Sequence, residues 1–226
     1  MTPFPPAITR AFAQTGWLLL SALWPLAGSA QTARPLPAAP TAAPAAAPSA
    51  ATAAACPSLL QHTLPRLQDE KPVPLCQYAG KVLLVVNTAS FCGFTGQYKA
   101  LEALHARYGP RGLVVLGFPS NDFGKQEPGD NAAIAEFCEN TFAVRFPMFA
   151  KSVVRAPAVS ARPVAGAEPL NPLFAELAQR TGKSPGWNFH KYLVSRSGAQ
   201  VISHPSAVDP LSPKFTADIE RLLSGN

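Results

Sequence analysis

The sequence has no CxxC pair. Its four cysteines, Cys56, Cys76, Cys92 and Cys138, stand well apart, which disfavours the dithiol chemistry of a thiol–disulfide exchange protein. The four histidines form no ligand pattern with them, so neither a zinc site nor any other metal is expected. Charge is also scarce, at 14% of residues. The net charge is +6, but the bases are scattered and form no Lys/Arg cluster with interleaved aromatics. A nucleic-acid partner is therefore not expected. There is no internal repeat, and 226 residues suffice for one domain with extra segments rather than for two.

What is present is unevenly spread. The first 30 residues hold no acid and one base, Arg10, followed by the apolar core "GWLLLSALWPLA" and the small residues "GSA". That order reads as a secretory signal peptide over residues 1–30, cleaved after Ala30. The core falls short of the roughly 20 residues of a spanning helix, and Pro25 interrupts it. The expectation is a periplasmic or secreted protein with no membrane attachment after cleavage. An uncleaved anchor is the competing reading. "AAAC" at Ala53–Cys56 lies too far beyond the apolar core to suit a lipidation site. Residues 31–55 contain 13 Ala and 5 Pro, and the prolines interrupt any helix the alanines would favour. This stretch reads as a disordered linker.

From Cys56 to Asn226 the composition becomes that of a folded domain. "KVLLVVNTA" and "GLVVLGFPSN" are continuous apolar runs of the kind that form buried parallel strands. Between them "QYKALEALHARYG" carries Tyr98, Leu101, Leu104 or His105, and Tyr108 at helical spacing, with Gly109-Pro110 as the stop. "NAAIAEFCENTF" reads as a second helix with Asp130 as its N-cap. "FPMFA" reads as a short extended piece, and "PLFAELAQRTG" as a third helix ended by Gly182. "HKYLVSRSGAQVISH" reads as a hairpin turning near Ser197-Gly198, and "SPKFTADIERLLSG" as a closing helix. The βαβ start demands a right-handed parallel crossover. With the later hairpin, the expected fold is α/β: a central mixed sheet flanked by helices on both faces.

Cys92 falls where the first buried strand hands over to the first helix. Strand carboxyl ends gather ligands in such sheets, and a helix N-terminus favours a thiolate. On position alone, a reactive thiol and a buried core cysteine both remain open. The Gly/Pro-rich loop "FPSNDFGKQEPGDN" follows the second strand and carries Gln126, an uncharged amide donor. "GWNFHKYLV" places an indole donor, Trp187, beside an amide donor, Asn188.

The motifs "GKVLLVVNTASFCGFTGQY", "LGFPSNDFGKQEPGDN" and "WNFHKYLV" resemble, in sequence and order, the glutathione peroxidase family in its cysteine-containing form. The resemblance spans about residues 67–223. It implies a thioredoxin-like fold with an N-terminal hairpin, and a peroxidatic Cys92. It also implies a catalytic set completed by Gln126, Trp187 and Asn188. Gln126 and Trp187 would donate to sulfur, and Asn188 would hold the leaving oxygen or a water. The implied activity is reduction of hydrogen peroxide and organic hydroperoxides through a Cys92 sulfenic acid, with no cofactor. A thioredoxin-like protein or glutathione would be the reductant. A redox module that senses peroxide and passes oxidation to a partner is the alternative.

Departures from the family pattern matter too. Cys138 is a candidate resolving cysteine, but it sits one residue before the position of the plant-type resolver, where this chain has Glu139. The other reading makes Cys138 a core residue. Ser120 replaces a cysteine of some relatives. Residues 152–168 depart from the shorter link usual in relatives. An insertion of the tetrameric members is missing, so a monomer is expected. The segment between Cys56 and Cys76 corresponds to the family's small hairpin. In an exported protein, two cysteines at that separation imply a structural disulfide.

Overall fold

The computed structural model describes residues 55–156 and 168–225. The expected signal peptide (1–30), almost all of the expected linker (31–54) and residues 157–167 of the unusual link lie outside the described residues.

The domain begins with a two-stranded antiparallel hairpin, β1 (Thr63–Pro65) and β2 (Pro72–Pro74). The main sheet follows as β3 (Val82–Thr88), α1 (Gln97–Tyr108) and β4 (Leu113–Pro119). Then come α2 (Asn131–Phe142), α3 (Pro172–Thr181), β5 (Lys191–Val194), β6 (Val201–His204) and α4 (Pro213–Ser224). Strand order is β4-β3-β5-β6, with β3 and β4 parallel and the remaining pairs antiparallel. The expected mixed sheet and N-terminal hairpin are both present.

Every residue of β3 is buried, as its unbroken apolar run requires of a strand covered on both faces. Its side chains alternate between two cores. Val82, Leu84 and Val86 join residues of α1, α2 and α4, among them Tyr98, Leu101, Ile134 and Phe215. Leu83 and Val85 join Phe174 and Leu177 of α3 and Leu59, Leu60 and Leu75 of the N-terminal segment. Each such Val or Leu contributes about 1.5–3 kcal/mol by leaving water. This two-sided anchoring fixes where β3 ends, and so where the following loop starts.

Several boundaries follow local rules. The Asp130 carboxylate accepts from Ala133 N–H at 2.8 Å, which caps α2. Asn171 and Pro172 open α3, and Gly182 closes it in the left-handed conformation. α1 ends at Tyr108, just before Gly109-Pro110, as the sequence leads one to expect. The chain runs on as a 3-10 turn over Gly109–Arg111, and the left-handed residue that turns it into β4 is Gly112, at φ +100°. "FPMFA" forms two isolated bridges, Gly117 with Met148 and Arg66 with Phe149, rather than a strand. Gly117 permits this crossing, because a Cβ there would lie 2.2 Å from Met148 Sδ. Among the described residues, no helix is long and apolar enough to cross a membrane.

Cys56 and Cys76 are joined by a disulfide across the base of the hairpin, with Cα atoms 5.3 Å apart. The bond closes a loop with a sequence separation of 20, which the chain-entropy account values at about 3 kcal/mol. Replacing both cysteines by serine should lower the urea-unfolding free energy by about that amount, with peroxide chemistry at Cys92 unaffected. Equal stability of the two proteins would show that the bond does not anchor the domain.

Candidate active site

Cys92 lies four residues beyond the end of β3, in a run of tight turns. Thr95 N–H bonds to Cys92 O at 3.0 Å, Gln97 N–H to Phe94 O at 2.9 Å and Tyr98 N–H to Thr95 O at 3.1 Å. Regular helix therefore starts only at Gln97, and Cys92 is set ahead of the α1 N-terminus rather than on it. Thr95 knits the turn together. Its hydroxyl oxygen accepts from Cys92 N–H at 3.0 Å and lies 2.7 Å from Cys92 O and 2.9 Å from Ala89 O, either of which can accept its proton. Cys92 Sγ, half-buried, accepts one hydrogen bond, from Phe94 N–H at 3.4 Å. A turn N–H aimed at sulfur is suited to holding the negative charge of a thiolate.

The second motif is tied to this turn by its backbone, since Phe91 N–H donates to Gln126 O at 3.1 Å. The third motif is tied in through Asn87, near the end of β3. Its amide nitrogen donates to Trp187 O at 3.1 Å, its amide oxygen accepts from His190 N–H at 3.1 Å, and its carbonyl accepts from Phe189 N–H at 2.7 Å. Lys191, wholly buried, donates from Nζ to Phe189 O at 2.7 Å and to Ser206 O at 3.1 Å. Burial lowers its pKa to about 7.

These ties bring Gln126, Trp187 and Asn188 together. Asn188 Nδ2 donates to Gln126 Oε1 at 3.0 Å. The Trp187 ring lies 5.9 Å from that of Phe123, centroid to centroid, and borders Gly124 beside Gln126. Trp187 is 41% exposed, whereas Asn188 is fully buried. Two residues here, Lys125 at φ +53° and Phe189 at φ +63°, adopt the left-handed conformation without being glycine. Each costs on the order of 1–3 kcal/mol, and such strain gathers at functional sites.

The geometry refines the expected roles. Neither Gln126 nor Trp187 donates to Cys92 Sγ in this structure; the donor in place is Phe94 N–H. Asn188 has its amide nitrogen committed to Gln126 and to Phe123 O, which orients Gln126, while its buried Oδ1 has no partner among the described residues. Asn87, Phe94 and Thr95 lie inside the first quoted motif but were not singled out from the sequence. Asn87 carried a signal: it is an amide within an apolar strand, where it must find partners.

Cys138 lies in α2, 3% exposed, with Sγ 3.5 Å from Tyr98 Oη. Burial pushes its thiol up to about 11, so it is protonated at neutral pH. In this conformation it packs as a core thiol. Glu127, next to Gln126, is 1% exposed, and neither carboxyl oxygen has a hydrogen-bond partner among the described residues. Burial raises its pKa, against the opposing influence of Ser90 and Lys151.

Comparison with known proteins places the site in context. A family model described as Glutathione peroxidase matches residues 60–159. The chain is 45% identical over 168 residues to the hydroperoxy fatty acid reductase gpx1 of Synechocystis sp., covering 69% of this chain and 90% of that protein. It is 44% identical over 160 residues to the glutathione peroxidase-like peroxiredoxin gpx1 of Schizosaccharomyces pombe, covering 70% and 95%. Among solved structures, the apo crystal structure of Trgpx superposes with a TM-score of 0.54 at 32% identity, over 74% of this chain and 95% of that one. The fold is thioredoxin-like, and with this identity over nearly the whole of its relatives the chain belongs to the glutathione peroxidase family.

Proposed function

We propose that this protein is a thiol peroxidase that reduces hydrogen peroxide and organic hydroperoxides through Cys92. The observation that carries the reading is the half-buried sulfur, with a backbone donor aimed at it, beside a held cluster of neutral donors. The Cys92 thiolate attacks the terminal peroxide oxygen. The S–O bond forms as the O–O bond breaks, and the departing alkoxide takes a proton to leave as alcohol or water. Sulfur is oxidised to sulfenic acid. A thiol then condenses with that acid to give a disulfide and water, and a second thiol returns Cys92 to the reduced state.

Gln126 Nε2 and the Trp187 indole N–H are the uncharged donors free to meet the peroxide and the sulfenate oxygen. Asn188 sets the Gln126 amide by donating from Nδ2 to Oε1, which assigns Nε2 as the end left to donate elsewhere. Uncharged donors stabilise developing negative charge without pairing permanently with the thiolate.

The reductant we propose is an external thiol, a thioredoxin-like protein or glutathione. Cys138 supports this assignment because it is buried and protonated, and its release to Cys92 would require α2 to unwind. The leading segment supports export to the periplasm or exterior after cleavage at Ala30, with the domain acting as a monomer. Detection of the chain only in a cytoplasmic fraction, with residues 1–30 intact, would overturn that assignment.

Stopped-flow oxidation tests the chemistry. Cys92→Ser should abolish peroxide reduction, because a serine hydroxyl is not ionised near neutral pH. Gln126→Ala and Trp187→Phe should each slow the oxidation step by about 10–1000-fold, the scale of a lost oxyanion-type donor. Unchanged rate constants in both would assign them to structure alone.

Cys138→Ser should retain turnover with an external thiol at a rate near that of the unmutated protein. Accumulation of Cys92 sulfenic acid in that variant, with turnover lost, would instead identify Cys138 as the resolver.

A further inference from the structure

A second feature borders the turn that carries Cys92. Between the Ser90–Phe91 stretch and α2 there is a cleft of about 390 Å³, bordered by Phe91, Ala133, Ile134 and Phe137 with Glu127 in its lining. We propose that this cleft is the subsite for the uncharged alkyl or aryl body of an organic hydroperoxide whose –OOH group reacts at Cys92. The inference rests on the peroxidase reading above and adds to it a location and a size limit.

The cleft borders the reactive turn: Ser90 and Phe91 line it and immediately precede Cys92, and Phe91 N–H is tied to Gln126 O. Phe91 is 67% exposed, an unfavourable position for a large aromatic unless something covers it. Its ring stands 6.3 Å from that of Phe137, so the two aromatics border the cleft from the turn and from α2. Glu127 is the second, independent observation. Its carboxyl group is buried in the lining beside Ser90, and neither oxygen completes a hydrogen bond of normal geometry among the described residues. Burial raises its pKa, and its carboxyl places one hydrogen-bonding group in an otherwise mostly apolar lining, where a ligand oxygen can meet it.

Size narrows the occupant. Ligand pockets run from about 300 to 1,000 Å³, and this one lies near the lower bound. It fits a single aliphatic segment or one aryl ring, not a two-chain lipid. Hydrogen peroxide has no body to place there, so the cleft should affect organic substrates alone.

The test compares cumene hydroperoxide with hydrogen peroxide. Ala133 is exposed on α2 and borders the cleft, so Ala133→Trp fills it without touching the core. Its kcat/KM for cumene hydroperoxide should fall about tenfold while that for hydrogen peroxide stays within about twofold, the scale set by loss of one small apolar contact. Phe137→Ala should shift the same ratio in the same direction. A wild-type ratio in both variants, or a parallel loss on both substrates, would overturn the subsite. A binding measurement separates this result from the chemistry. Cumyl alcohol titrated into the Cys92→Ser protein should shift the Ala133 and Ile134 methyl resonances, and no shift there would also overturn it. Failure of the unmutated protein to consume hydrogen peroxide would sink the peroxidase reading, while the alcohol titration would still decide the cleft.

Discussion

Three hydrogen bonds from Asn87 join two distant parts of the chain into one site. Asn87 is near the end of a strand anchored in two cores, and it grips Trp187, Phe189 and His190 from a hundred residues away. It is fully buried, so each lost bond would strand a polar group at a cost of about 1–3 kcal/mol. The grip holds Phe189 in its left-handed conformation by its N–H, and Lys191 reinforces it by donating from Nζ to the Phe189 carbonyl. Through Asn188 the constraint passes to Gln126, and through the Gln126 carbonyl back to the catalytic turn. The proposed catalytic set is thus a closed circuit of hydrogen bonds starting and ending near the tip of β3.

The circuit explains a division of labour among similar residue types. Asn188 and Gln126 are both amides, yet one is spent on positioning and the other keeps its donor free. Two cysteines also diverge by environment. Cys92 stands in an open turn with a donor aimed at it, whereas Cys138 is shut in the core against Tyr98 with its proton held on. Exposure and local donors, rather than residue type, decide which sulfur reacts.

Much of the architecture was legible in the sequence because its signals are local. The all-apolar runs of β3 and β4, the Asp130 cap and the Gly182 stop each follow from short-range rules. The end of α1 was legible too, since the helix stops at Tyr108 ahead of Gly109-Pro110; the left-handed Gly112 that turns the chain into β4 was not. "FPMFA" could not be told from a strand, since its role depends on Gly117 leaving room for Met148. At the candidate site, the three motifs named the residues that the structure brings together, Gln126, Trp187 and Asn188, but not how they contact one another. The pairing of Asn188 with Gln126, the offset of Cys92 from the α1 start and the unpartnered Glu127 depend on long-range contacts that spacing does not encode.

The account stands on Cys92 being the atom that peroxide oxidises. The most direct measurement exposes the Cys138→Ser protein to one equivalent of hydrogen peroxide in the presence of dimedone, followed by peptide mass mapping. With Cys56 and Cys76 paired, Cys92 is the one thiol left to react. The account predicts a dimedone adduct on the Cys92 peptide, formed as fast as peroxide disappears. Recovery of Cys92 as an unmodified thiol while peroxide is consumed would contradict it.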